Sequence, residues 1–450
     1  MTSLTLAIVM VFVAGYLCIA LESLTKVNKA PVALLMCVAC WTLFMVNPAE
    51  YVLPVLSTAA EQSAVLAHVT TILREHLGET AETLFFLMGA MTIVEIVDCN
   101  GGFNFVRDSI QTRSKRSLLW RIAFMTFFLS AILDNLTTSI VMVMVLRKLV
   151  ADKKDRMIYA SLVIIAANSG GAFSPIGDVT TIMLWISGAI TTGGVIKELL
   201  VPSLMSMVVP AFIMQYMLKG ELPKPEVKSA EDSALVFTRI QRRIIFLLGV
   251  GGLMFVPVFR YLTDLPPYIG ILLVLGVLWT ATELFYRNVR LGADSMSTRV
   301  IALLRKIDMA TILFFLGILM AVGCLSEIGV LSAMGRGLET MSHGNHYLVT
   351  GIIGVLSSIV DNVPLVAGCM GMYPIAPTGD MAVDGIFWQL LAYCAGVGGS
   401  MLIIGSAAGV VVMGLEKITF GWYMKRITWI AFVGYVAGMG SYWLIRTFLF

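Results

Sequence analysis

Charged side chains are scarce in this sequence. Of its 450 residues, 13% are Asp, Glu, Lys or Arg and 58% are apolar, and the mean hydropathy is +0.89. Soluble globular proteins carry about 25% charged residues, so the composition excludes that class. Because a chain in lipid must satisfy its backbone groups internally, we predict an all-α polytopic membrane protein, with membrane lipids and no nucleic acid as partners.

Cysteine and histidine offer little for redox or metal chemistry. The seven cysteines lie in or beside apolar segments. Cys37 and Cys40 have the spacing of a thiol pair, but they stand inside a predicted span with no histidine nearby. We interpret them as buried small apolar residues, and the sequence predicts no organic cofactor.

Long apolar runs separated by short polar stretches fill most of the chain. A helix needs about 20 residues to cross a bilayer, and the runs predict about ten spans. All but five of the 31 Lys and Arg residues fall in loops assigned to the cytoplasmic side. This assignment predicts a multi-pass protein of the bacterial inner membrane with both termini on the external side. We interpret Glu61 to Leu77 as a separate amphipathic interfacial helix.

The segment 118–150 combines two short apolar arms with a polar tip. Asp134 and Asn135 lie at the tip and are followed by Thr137 and Thr138. Neither apolar arm reaches the length of a span, and basic residues flank both ends. The segment therefore predicts a re-entrant hairpin that opens to the cytoplasm, with its tip at membrane depth inside protein or a water-filled cavity.

The segment 157–190 is long enough to span but has a polar, glycine-rich centre. Pro175 removes a backbone donor there, and the neighbouring glycines weaken a helix. We predict two half-helices around an unwound, ion-accessible segment. Its polar residues are Asn168, Ser169, Asp178, Thr180 and Thr181.

The same landmarks recur in the second half of the chain. Asp134-Asn135 returns as Asp361-Asn362, and the other matches keep almost the same spacing. We predict a first repeat over 1–218, a cytoplasmic linker over 219–243 and a second repeat over 244–450. An odd number of spans separates the copies, which makes them inverted, and the flanks of the second hairpin lack Lys and Arg, which places them outside. The second repeat is predicted to contain an outward-opening hairpin at 346–376, with Ser357, Asp361 and Asn362, and a broken span at 387–415, with Ser400.

Inverted repeats with broken helices that meet at the bilayer midplane are typical of secondary transporters. The predicted topology places Asp134, Asp178 and Asp361 deepest in the membrane. A carboxyl group in a dry interior can bind a proton or a small cation, and the two compete. A role of Asp134 and Asp361 as helix caps is the structural alternative. We predict a sodium site formed by Asp134, Asn135, Asp178, Asp361 and Asn362. Further oxygen ligands are predicted from Thr137, Thr138, Asn168, Ser169, Thr180, Thr181, Ser357 and Ser400.

Three motifs carry a family resemblance. They read SAILDNLTTSIVMV, AANSGGAFSPIGDVTTIMLW and SSIVDNVPLVAG, and in order and spacing they resemble the NhaD-type sodium/proton antiporters of the ion transporter superfamily over about residues 80 to 415. The resemblance implies exchange of cytoplasmic Na⁺ or Li⁺ for external H⁺ at the residues above. It also implies a homodimer in which a static scaffold holds a moving transport domain.

Two other functions compete with this interpretation. A transporter of the same superfamily could carry an anion such as a dicarboxylate or arsenite, but no basic residue is placed near the midplane to meet it. An intramembrane aspartyl protease would need Asp134 and Asp361 on adjacent helices sharing a water, whereas the repeats place them at two hairpin tips. Neither a channel nor an enzyme accounts for the duplicated hairpins as well as alternating access does.

Overall fold

The computed structural model describes residues 2–20, 27–52, 62–102, 110, 112–218, 220–221, 237–287, 303–305, 307–359 and 362–449. Over these residues the fold is helical, and no β-strand occurs in them, which confirms the all-α prediction. The helices are α1 (Ser3–Ala20), α2 (Lys29–Phe44), α3 (Ala49–Val52), α4 (Gln62–Cys99), α5 (Lys115–Leu133), α6 (Asn135–Leu149), α7 (Lys153–Ala172), α8 (Val179–Ile186), α9 (Thr192–Met214), α10 (Arg239–Thr263), α11 (Pro267–Arg287), α12 (Met309–Glu327), α13 (Val330–Ser342), α14 (His346–Ser357), α15 (Asn362–Met372), α16 (Ile386–Gly398), α17 (Ala407–Glu416), α18 (Phe420–Arg426) and α19 (Thr428–Leu449).

The chain is a multi-pass membrane protein. Seven of the described helices are long and apolar enough to cross a bilayer, and seven shorter apolar helices accompany them. The first hairpin consists of α5, with 19 residues, and α6, with 15 residues. The expectation that neither arm reaches the length of a span is wrong for α5, which is one of the seven described helices long and apolar enough to cross a bilayer. The re-entrant placement of this hairpin stays a prediction.

The predicted separate interfacial helix at Glu61 to Leu77 is wrong. One continuous helix of 38 residues, α4, covers this segment from Gln62 onward and the following span. The intervening residues 78–81 contain a single glycine and no proline, and one glycine costs a helix only about 1 kcal/mol. The short helices α13 and α18 were not anticipated from the apolar pattern.

Both predicted interruptions occur. α7 ends at Ala172 and α8 begins at Val179, with Pro175 between them. α16 ends at Gly398 and α17 begins at Ala407, in a stretch without proline. The prediction of two broken helices is confirmed, and their depth in the membrane stays a prediction.

The chain divides into two compact units. The first comprises Met1–Leu87, Asp308–Asn345 and Val363–Ile375. Within it α2 packs closely on α12, because a Cβ on Gly317 would lie 2.6 Å from the carbonyl carbon of Ala33. The buried Trp41 donates its indole N–H to the carbonyl of Met320 at 2.9 Å.

The second unit comprises Met88–Ile307, His346–Asn362 and Ala376–Phe450, and it contains every described candidate residue. Residues 158–178 are buried without interruption, and so are residues 387–401. The two broken helices therefore form the centre of this unit. The first interruption, residues 173–178, is buried throughout, whereas Leu402 and Ile404 in the second are partly exposed.

Each broken helix contacts its neighbouring hairpin arm through a glycine. A Cβ on Gly170 of α7 would lie 2.8 Å from the carbonyl carbon of Phe127 in α5, and closer still to its oxygen. A Cβ on Gly398 of α16 would lie 2.8 Å from the carbonyl carbon of Gly354 in α14. Only glycine permits backbones to approach this closely. The residues of the two contacts occupy corresponding positions of the predicted repeat.

A serine hydrogen bond accompanies each glycine contact. Ser130 donates its hydroxyl to the carbonyl of Ala167 at 2.6 Å. Ser357, at the corresponding position of the second hairpin, donates to the carbonyl of Ala395 at 2.8 Å. Each bond satisfies a buried hydroxyl and fixes the last turns of α7 and α16 against their hairpins.

Candidate functional site

The tip of the first hairpin is a single residue with unusual backbone geometry. Asp134 separates α5 from α6 and has φ 109° and ψ 157°, a region that side-chain-bearing residues rarely adopt. Its half-buried carboxylate accepts the backbone N–H of Thr137 at 2.8 Å and the Thr137 hydroxyl at 2.7 Å. Asp134 therefore caps the N-terminus of α6, as the structural alternative predicted.

A buried polar cluster lies beside this tip. Asn135 donates its side-chain amide to Asn168 Oδ1 at 3.1 Å and to Asp178 Oδ2 at 3.2 Å. Asn362 donates to the same Asp178 oxygen at 3.3 Å, and Asn168 donates to Ser406 Oγ at 3.0 Å. None of the five side chains is more than 7% exposed. We call this set the Asp178 cluster.

Four helix N-termini contribute to the Asp178 cluster. Asn135 is the first residue of α6 and Asn362 the first of α15. Asp178 is the N-cap of α8 and accepts the N–H of Thr180 at 3.4 Å; Ser406 is the N-cap of α17. Helix N-termini carry partial positive charge, which stabilises a carboxylate in a buried place.

Two helix C-termini, which carry partial negative charge, also lie at the Asp178 cluster. Asn168 belongs to the last turn and a half of α7, and Gly396 belongs to the last turn of α16. A Cβ on Gly396 would lie 3.4 Å from Asp178 Oδ2, so the α16 backbone passes directly beside the carboxylate. Carbonyl groups at helix C-termini carry partial negative charge and coordinate cations in transporters with broken helices.

Two of the predicted ligands have unused oxygen atoms. The hydroxyls of Thr138 and Thr180 are fully buried and have no hydrogen-bond partner among the described residues. A buried hydroxyl without a partner is unfavourable by about 1–3 kcal/mol. These oxygens are thus suited to an additional partner such as a cation.

The remaining predicted hydroxyls have local partners. Thr181 donates to the carbonyl of Asp178 at 2.8 Å, and Ser400 donates to the carbonyl of Val397 at 2.7 Å. Ser169 accepts from the Ser206 hydroxyl at 2.8 Å. With Ser357 bonded to α16, these side chains stabilise the broken helices. Asp361 lies outside the described residues.

Ser406 is the cluster member that sequence reasoning omitted. It adopts the same N-cap backbone geometry as Asp178, with φ −143° at both positions. Ser406 follows Asp178 by 228 residues, close to the 227 residues that separate Asp361 from Asp134, and this repeat spacing is the signal that could have identified it. Because Ser406 carries a neutral hydroxyl where Asp178 carries a carboxylate, the two predicted repeats contribute unequal charge to the cluster.

The cluster can present either hydrogen-bond donors or acceptors to its centre. Each asparagine amide carries an NH₂ group and a carbonyl oxygen, so a half rotation exchanges a donor toward Asp178 for an oxygen ligand. No Lys or Arg occurs in the segments 122–146, 157–196 and 337–416 that surround it in sequence. One carboxylate with amide and hydroxyl oxygens is a donor set suited to a hard cation.

Comparisons with known proteins identify similar chains. The family model described as "Citrate transporter" matches residues 16–390. "Sodium/proton antiporter 1" of Arabidopsis thaliana is 44% identical over 444 residues, which cover 99% of this chain and 73% of the relative. "Sodium/proton antiporter 2" of the same plant is 42% identical, with 98% and 99% covered. "Na(+)/H(+) antiporter NhaD" of Alkalimonas amylolytica is 32% identical, with 84% and 80% covered.

Proposed function

Because the chain belongs to the family described as citrate transporters and, within the ion transporter superfamily, to the NhaD-type sodium/proton antiporters, we propose that it is a Na⁺/H⁺ antiporter. It extrudes cytoplasmic Na⁺, and also Li⁺, in exchange for external H⁺ by alternating access. It works as a secondary transporter and not as an enzyme, and it uses no organic cofactor.

The observation that carries this proposal is the burial of Asp178 among amides. Asn135 and Asn362 each donate to its carboxylate, and Asn168 completes the network through Asn135. Removing a carboxylate from water favours its neutral, protonated form, whereas a bound cation favours the ionised form. One buried carboxyl group can therefore hold H⁺ or Na⁺ in alternation.

Competition at one group couples the two ions. Na⁺ binds the ionised carboxylate, so its arrival releases the proton. Rotation of the asparagine amides offers Na⁺ their carbonyl oxygens, and the hydroxyls of Thr138 and Thr180 supply further ligands without breaking an existing bond. When Na⁺ leaves, a proton neutralises Asp178 before the protein reorients.

Asp134 and Asp361 are proposed as additional acids of the site. Asp134 precedes Asn135 directly, and its cap on α6 fixes the position of that asparagine. The unusual backbone of Asp134 is of the kind concentrated at functional sites. Its charge contributes to the electrostatic balance at the tip, while its bonds to Thr137 hold the tip rigid.

The inverted repeat is proposed on the basis of paired contacts. The glycine contacts of Gly170 and Gly398 and the serine bonds of Ser130 and Ser357 are equivalent pairs. The basic residues concentrate on one side of the proposed topology. We propose two repeats, 1–218 and 244–450, in a bacterial inner membrane with both termini outside. A homodimer is proposed because the resemblance to the NhaD-type antiporters implies it.

Anion transport is the second candidate, because the matching family model is described as a citrate transporter. A tricarboxylate needs cationic or donor groups to replace its hydration. The segments that form the Asp178 cluster contain no Lys or Arg, and its one ionisable member is an acid. Like charge between Asp178 and citrate would be unfavourable in a dry site.

Ion-specific proton movement tests the proposal. Purified protein is reconstituted into liposomes that contain a pH-sensitive dye, and Na⁺, Li⁺, K⁺ or citrate is added in turn. We expect proton movement with Na⁺ and Li⁺ and no citrate uptake. Citrate uptake without any Na⁺-dependent proton movement would replace this proposal with the anion transporter.

A further inference from the structure

A buried ion-pair network lies at the ends of three helices, away from the Asp178 cluster. Glu416 is the last residue of α17, and its side chain has no exposed surface. Its Oε1 accepts from Arg147 Nε at 2.7 Å, and its Oε2 accepts from Arg156 Nε at 2.6 Å. Arg147 also donates to the carbonyl of Leu415. Both carboxylate oxygens are thus engaged by two different helices, α6 and α7.

Arg156 extends this network to the turn between those helices. Its Nη1 donates to the carbonyls of Val150 at 3.0 Å and Ala151 at 3.3 Å. Bonds from a guanidinium to a carboxylate are strong and directional. Glu416 therefore fixes the C-terminal end of α6, the N-terminal end of α7 and the turn that joins them.

The same three helices carry members of the Asp178 cluster at their other ends. Asn135 begins α6, Asn168 lies near the end of α7, and Ser406 caps the start of α17. The helical rise places each of them about 15–18 Å along its helix from the ion pairs. The three helices are joined at one end by the Glu416 ion pairs and at the other by the hydrogen bonds of the cluster.

We propose that Glu416 is a positioning residue for cation binding. It sets the axial positions of α6, α7 and α17 so that Asn135, Asn168 and Ser406 meet around Asp178. It does not touch the ion. This inference rests on the proposed antiporter function and deepens it, because it assigns part of the Na⁺ affinity to a charge remote from the site.

The first test replaces Glu416 with glutamine. The Glu416→Gln side chain keeps its volume but offers one arginine an NH₂ group in place of an acceptor, so one of the two helix contacts is lost. When the binding-competent arrangement is less populated, the apparent affinity falls by the same factor. We expect the half-saturating Na⁺ concentration to rise about tenfold. We expect turnover at saturating Na⁺, per amount of folded protein, to stay within about twofold.

Glu198→Gln is the matched control. Glu198 is also a buried glutamate of the second unit, and it pairs with Arg446 at 2.6 Å and accepts from the Tyr442 hydroxyl at 3.0 Å. It joins α9 to α19, and neither helix contributes a member of the Asp178 cluster. Glu198→Gln weakens a buried ion pair comparable to the one that Glu416→Gln weakens, but we expect the half-saturating Na⁺ concentration to stay unchanged.

A double variant tests whether Arg147 acts through Glu416. Arg147→Gln alone should raise the half-saturating Na⁺ concentration as Glu416→Gln does. Since the effects of groups that act as one unit are not additive, the Arg147→Gln, Glu416→Gln double variant should resemble either single variant. Glu416→Asp keeps the charge and should restore part of the lost affinity.

The outcomes separate the two proposals. Absence of Na⁺-dependent proton movement in the wild type would overturn the antiporter function, and the positioning role with it. Normal wild-type exchange with an unchanged half-saturating concentration in Glu416→Gln would overturn the positioning role alone. An equal increase in Glu198→Gln would also overturn it, since the effect would then reflect general loosening of the unit.

Discussion

Gly170→Ala should destabilise the second unit, because the new Cβ would clash with the backbone of Phe127, and the structure gives the size of this clash. The new Cβ would lie 2.8 Å from the carbonyl carbon of Phe127, against the 3.4 Å at which ordinary contacts begin. The helices α5 and α7 must therefore separate by more than the 0.6 Å that the carbon contact alone requires (3.4 − 2.8 Å), or bend, because the Phe127 oxygen would lie nearer still. Overpacking of this kind costs about 1–3 kcal/mol, while replacement of a helical glycine by alanine gains about 0.5–1 kcal/mol. The net loss is about 0–2.5 kcal/mol, with a midpoint of about 1 kcal/mol.

Thermal melting of the purified protein in detergent measures this loss. Gly251→Ala in α10 is the matched control, because a Cβ there has nothing within 4 Å. It should melt at or above the wild-type temperature, and Gly170→Ala below it. Because Asn168 lies on the same turn of α7 as Gly170, the half-saturating Na⁺ concentration should also rise in Gly170→Ala. A Gly170→Ala protein as stable as Gly251→Ala would refute the close approach of α5 and α7.

Three further predictions address charge, an unused hydroxyl and a buried bond. Asp134→Asn keeps a capping oxygen but removes the charge, and Asp361→Asn removes the acid that the sequence predicts at the second tip. Each should abolish Na⁺-dependent proton movement in everted vesicles, and exchange at the wild-type rate would remove that acid from the mechanism. Thr180→Val deletes a buried hydroxyl that has no described partner, so it should raise the melting temperature yet weaken Na⁺ affinity; unchanged affinity would exclude this oxygen as a ligand. Trp41→Phe loses the bond to Met320 and should cost about 1 kcal/mol in melting experiments without a change in Na⁺ dependence, and a changed Na⁺ dependence would contradict a purely structural role.

Much of the site was predictable because its residues are unfavourable in lipid. Asp178 and the Asp134-Asn135 pair stand in apolar surroundings where acids and amides need a specific partner. The breaks in the spans were predictable from Pro175 and the glycines, which weaken helices through local chemistry. Local signals of this kind act over a few residues, so one sequence reveals them.

The contacts between distant residues were not predictable in the same way. The pairing of Glu416 with Arg147 joins positions 269 residues apart, and no local pattern connects them. The continuous α4 was missed because a charged, amphipathic start and an apolar end resemble two elements, although nothing between them breaks a helix.

Proton release on Na⁺ binding is the most direct test of the Asp178 cluster. Purified protein in weakly buffered detergent solution, with a pH-sensitive dye, is titrated with NaCl and, as a salt control, with choline chloride. The wild type should release protons on addition of Na⁺ only, because the cation replaces the proton on Asp178. Asp178→Asn, folded as judged by its melting, should bind no Na⁺ and release none. Wild-type proton release from Asp178→Asn would contradict the exchange of H⁺ and Na⁺ at this carboxylate.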